Sequence, residues 1–86
     1  MVIHLTALYD CWVGFTRHGV PLFEVNVPAG TSRTWHFKHA VVMQLGNPGG
    51  IVLTVNGKKY RHPGAIGVPV TFSLHPGQPI QNTSAG

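Results

Sequence analysis

Residues 51–59, IVLTVNGKK, constrain the fold more than any other stretch of the chain. Ile51, Leu53 and Val55 alternate with Val52 and Thr54, which is the period of a strand and not of a helix. Asn56-Gly57 follows at once. A two-residue type I′ turn needs positive φ at both central positions, and Asn and Gly tolerate it where most residues do not. The stretch therefore reads as a strand, a tight reversal and a return strand beginning at Lys58-Lys59-Tyr60, whose charges suit an exposed edge. Just upstream, Gly46-Asn47-Pro48-Gly49-Gly50 forms a corner: Pro48 holds Asn47 extended, and the two glycines free the chain to change direction. A lone hairpin is marginal in water, so the rest of the chain must supply partner strands.

It does so repeatedly. Residues 3–8 alternate as a first strand, and residues 11–16 as a second, with Cys11, Val13 and Phe15 on one face and Trp12, Gly14 and Thr16 on the other. Gly14 would let a backbone approach closely. A turn at 17–20, with Gly19 at positive φ, leads to residues 22–27, where Phe23, Val25 and Val27 point inward and Glu24 and Asn26 outward. After Pro28-Ala29-Gly30 comes a more polar strand, 31–38, in which Trp35 and Phe37 share a face with Arg33. Residues 41–45 place Val41, Met43 and Leu45 together. Residues 61–67 are irregular, and 68–74 form the last strand, with Val68, Val70, Phe72 and Leu74 inward; Pro69, which cannot donate to a ladder, suggests an edge or a bulge there. With 11 Gly, 7 Pro and few helix formers in 86 residues, the pattern predicts an all-β domain: a small two-sheet, Ig-like sandwich of about seven short antiparallel strands. Residues 1–78 form the single domain, and 79–86 a disordered polar tail.

The chemistry is sparse. Only Asp10 and Glu24 carry carboxylates, and paired acid–base work needs both in one cleft. Cys11 shares a strand face with Val13 and Phe15 and reads as an inert core thiol. Of the six histidines, His36 and His39 are the closest together, and their odd spacing sends them to opposite strand faces; no metal and no cofactor is expected. The Gly46–Gly50 corner lacks the Lys-Ser/Thr of a phosphate loop and opens no helix. Six Lys and Arg against two acids give a net charge of +4, and the positive residues cluster locally only at Lys58, Lys59 and Arg61. That edge, with Arg33 and an exposed Trp35, is the candidate partner-binding surface. No apolar run approaches the ~20 residues of a spanning helix, and the start lacks the charged opening and long apolar centre of a signal peptide. A cytoplasmic protein, or a fragment without its targeting segment, would read this way.

Several segments, in this order and spacing, resemble the C-terminal domain of the RodZ family: Tyr9-Asp10-Cys11-Trp12-Val13 with Gly19 and Leu22-Phe23, then Pro28-Ala29-Gly30-Thr31-Ser32, Leu45-Gly46-Asn47-Pro48-Gly49-Gly50-Ile51 and Val55-Asn56-Gly57-Lys58. The resemblance spans about residues 3–76 and departs from the pattern chiefly in the few side chains at Pro48-Gly49-Gly50. It implies a non-enzymatic interaction domain of a bitopic bacterial membrane scaffold that helps organise cell shape and cell-wall elongation. The domain would lie on the extracytoplasmic face, with a spanning helix and a helix-turn-helix domain outside this fragment. Its partners would be proteins of the elongation or peptidoglycan-synthesis machinery, or an anionic cell-wall polymer. The alternative from the residues alone is a basic β-barrel-like module that binds single-stranded nucleic acid or another anionic polymer through exposed aromatics.

Overall fold

The structure, a computed structural model, describes residues 1–83. Nine strands are found among them: β1 (Val2–Ala7), β2 (Cys11–Arg17), β3 (Val20–Val27), β4 (Ser32–His36), β5 (Val41–Leu45), β6 (Ile51–Val55), β7 (Lys58–Arg61), β8 (Val70–Leu74) and β9 (Gln81–Asn82). They build two antiparallel sheets, of order β4-β1-β6-β7 and β3-β2-β5-β8-β9. The expected all-β sandwich is therefore present. One departure from pure β structure is a 3₁₀ turn at Pro48–Gly50 inside the predicted corner.

Alternation fixes which residues meet between the sheets. Ile3, Leu5, Leu53 and Val55 come from the first sheet and Val13, Phe15, Met43, Leu45 and Leu74 from the second, all buried in one cluster. At one side of the sandwich four rings bridge the sheets. Phe15 lies 5.1 Å from both Phe23 and Trp35, and 4.9 Å from Phe37. Such tilted and edge-on pairs add to what burial alone contributes.

The turns follow their chemistry. Asn56 and Gly57 both have positive φ, 53° and 79°, as the β6–β7 hairpin requires. The β2–β3 turn does the same with His18 and Gly19, at 52° and 75°, although only the glycine was expected there.

Four expectations need correction. Pro69 stands just outside β8, which is an interior strand between β5 and β9, and Val68 is exposed beside it. Phe23 faces the core side but on an edge strand, so 42% of it remains exposed. The space above Gly14 is filled by the Trp12 indole and not by another backbone: a Cβ at Gly14 would stand 2.6 Å from the ring. Gln81–Asn82, assigned to a disordered tail, pair with β8; residues 84–86 of that tail lie outside the described residues.

Candidate functional site

The predicted partner surface divides into two. Register aligns Arg33 with Leu5 and Trp35 with Ile3, on β4, while Lys59 aligns with Thr54 and Arg61 with Val52, on β7. These strands are the opposite edges of the four-stranded sheet, three strand spacings or roughly 14 Å apart. Leu5 and Ile3 are core residues, so Arg33 and Trp35 point to the sandwich side, whereas Lys59 and Arg61 point outward. Trp35 is half-buried in the aromatic cluster with Phe15. Its strand is polar because Ser32, Thr34 and His36 face solvent, and the tryptophan occupies the other face.

The β7 edge itself is open. Lys58 places its Nζ 5.4 Å from the Tyr60 ring centre, a cation–π arrangement, and the Tyr60 hydroxyl accepts a hydrogen bond from Ile80 N at 3.2 Å. Lys59 and Arg61 border an outer face of short polar side chains. There Thr6 bonds Ser32 at 3.0 Å, and His4 Nδ1 bonds Thr34 at 2.7 Å.

The exposed tryptophan is Trp12. It stands on the outer face of the five-stranded sheet, 36% exposed, with its six-membered ring laid over Gly14. Pro21, Leu22 and Phe23 line the same shallow groove of about 300 Å³, with Thr16, Glu24 and Gln44 as its polar members. On the β2–β3 hairpin Trp12, Val20, Leu22 and Phe23 are each partly exposed, and Trp12, Leu22 and Phe23, the last from the edge of the core side, line this one groove. Alternation set Trp12 and Gly14 on the same face, opposite Cys11 and Val13; what the sequence hid was that the indole lies back over the glycine.

The remaining reactive groups among the described residues are dispersed. Asp10 accepts a 2.8 Å hydrogen bond from Ala29 N, which pins the chain between β3 and β4. Asp10 and Glu24 line different clefts, and no histidine lines either. Cys11 is buried; burial pushes its thiol above the ordinary value, partly offset by hydrogen bonds with the backbone at Asn47 and Gly46. Among the described residues no cluster of three or more His, Cys, Asp or Glu is placed to hold a metal ion.

The glycine corner is a clamp. Asn47 Oδ1 accepts from Gly67 N at 2.8 Å, and His62 Nδ1 donates to Gly49 O at 2.9 Å, so the 61–67 loop is tied down over Pro48–Gly50. A Cβ on Gly49 would sit 2.3 Å from Ile66 N, which is why no larger residue fits.

Fold and surface together define a small antiparallel β-sandwich whose exposed features are faces and edges suited to binding. A family model described as the RodZ C-terminal domain matches residues 4–73. The chain belongs to that family, which is not a known enzyme family. No curated protein and no solved structure matches the chain.

Proposed function

We propose that this chain is the extracytoplasmic, non-enzymatic interaction domain of a RodZ-like single-pass membrane scaffold. In this role it binds a protein of the cell-elongation or peptidoglycan-synthesis machinery. Membership of the RodZ C-terminal domain family supports the role. The observation that carries the surface is the exposed apolar group on the β2–β3 hairpin, Trp12, Leu22 and Phe23. Large aromatic and apolar residues left exposed together mark binding surfaces, and tryptophan is over-represented among the residues that dominate binding energy.

A second reading rests on the open β7 edge. Its unpaired backbone groups would accept an added strand, and Lys58, Lys59 and Arg61 would favour an acidic one or an anionic polymer. Affinity measurements against the extracytoplasmic parts of candidate elongation proteins separate the two. In the first reading Trp12→Ala with Leu22→Ser weakens binding about tenfold or more, and charge reversal at Lys58, Lys59 and Arg61 changes it little. The opposite pattern transfers the interface to β7, and no binding to any such protein overturns the role. Single-stranded nucleic acid is expected not to bind even at low salt, where the electrostatic contribution is greatest.

A further inference from the structure

Arg17, His18, His39, Ser73 and His75 come from three separated parts of the chain and meet around one cleft of about 500 Å³. Arg17 ends β2 and His18 begins the hairpin turn; His39 lies between β4 and β5; Ser73 and His75 close β8. No Asp, Glu, Lys or Tyr lines the cleft. Its floor is apolar, with Val42 paired to Ser73 across β5 and β8.

The guanidinium of Arg17 is held in place but its terminal donors are unspent. Arg17 Nε donates to Ala40 O at 3.0 Å, which orients the guanidinium. Among the described residues nothing engages its two terminal NH₂ groups, nor the imidazoles of His18, His39 and His75. His18 is held at φ 52°, a conformation that disfavours most residues with a Cβ, and in it the imidazole stands at the cleft mouth.

We infer that this cleft is an oxyanion site that takes a phosphate group, free or carried as an ester. A guanidinium fork matches two phosphate oxygens at once. The serine hydroxyl and the imidazoles supply further donors from other directions, which suits a tetrahedral anion better than a planar carboxylate. The apolar floor leaves room for an organic body beside the phosphate. Among the described residues no carboxylate lines the cleft to offset the Arg17 guanidinium.

Titration of the isotope-labelled protein, followed by NMR, tests this. Inorganic phosphate and sulfate serve as the tetrahedral anions. Saturable shifts are expected at residues 17–18, 39–42 and 73–75. Near pH 7, glycerol 3-phosphate binding more tightly than inorganic phosphate assigns an ester, and equal binding assigns free phosphate; both uphold the site. Arg17→Lys keeps the charge but loses the fork, and is expected to weaken binding about tenfold; His39→Gln alters one imidazole at the cleft and is expected to weaken binding less, without touching the Ala40 contact. His36→Gln, at an exposed position outside the cleft, leaves binding unchanged. Shifts absent at these residues, affinity equal in the wild type and Arg17→Lys, or glycerate bound as well as glycerol 3-phosphate would overturn the assignment.

Discussion

Gly49→Ala is the substitution whose cost the structure fixes most closely. Gly49 has ordinary backbone torsions, so the conformation itself admits alanine; the obstacle is space. The added Cβ would stand 2.3 Å from Ile66 N and 2.7 Å from Ala65 C. Both are backbone atoms, and neither can swing aside as a side-chain tip can. To reach ordinary contact the 65–66 segment must move by about 1 Å, an overpacking cost of roughly 1–3 kcal/mol. That movement also pulls on the bonds that tie the loop down, Gly67 N to Asn47 Oδ1 at 2.8 Å and His62 Nδ1 to Gly49 O at 2.9 Å. Losing one of them adds about 1 kcal/mol. The expected loss is about 2–4 kcal/mol, a large share of the stability of a small domain, and a fall in Tm of roughly 10–30 °C. Urea unfolding followed by tryptophan fluorescence measures it. Gly14→Ala is the matched comparison. Its Cβ would meet the Trp12 ring at 2.6 Å, but that ring is exposed and free to swing out. A cost below about 1.5 kcal/mol is expected, with the emission of Trp12 moving to longer wavelength as it enters water. Gly49→Ala within about 0.5 kcal/mol of the wild type, or a larger loss from Gly14→Ala, would refute the clamp.

Three further outcomes follow from burial and hydrogen bonding. Leu53→Ala empties a fully buried position opposite Leu5 and should cost about 2–5 kcal/mol in the same unfolding experiment. Asn56→Ala puts a Cβ residue without a local polar partner at φ 53° and removes the donor to His75 O and Gln78 O; about 1–3 kcal/mol is expected. Cys11 should resist thiol reagents until the protein unfolds, so that labelling rates follow denaturant concentration as unfolding does. Its folded-state value is the raised one. The corresponding stabilisation is complete below the unfolded value and is lost as the pH rises from there through the folded value. Cys11→Ala should therefore flatten the alkaline part of the stability curve.

How far the sequence reveals this molecule depends on whether a feature is local. Strand alternation and the Asn56-Gly57 reversal are local, and both stand where the residues put them. Membership of the family was legible too, because motif order survives without knowledge of packing. Strand order is not local: β1 and β6 intervene between β4 and β7, so Arg33 and Lys59 fall on opposite edges. Trp35 was misread because the polarity of a strand averages over its two faces; the ring follows Ile3 inward, while Thr34 and His36 carry the polarity outward. The exposed tryptophan was expected at Trp35, and it is Trp12, although alternation sets Trp12 on the face opposite Cys11, Val13 and Phe15. The histidine-lined cleft was invisible, since His18, His39 and His75 converge only after β2, β5 and β8 are aligned side by side.

The proposed interaction surface is tested most directly by photocrosslinking in cells that express the protein. A photoreactive residue is placed in turn at Leu22 on the hairpin face, Lys59 on the β7 edge and Thr34 on the outer face of the four-stranded sheet. The β2–β3 interface predicts a crosslink from Leu22 to a protein of the elongation or peptidoglycan-synthesis machinery, lost when Trp12 is replaced by alanine. Crosslinks from Lys59 alone, or from none of the three positions, would contradict it.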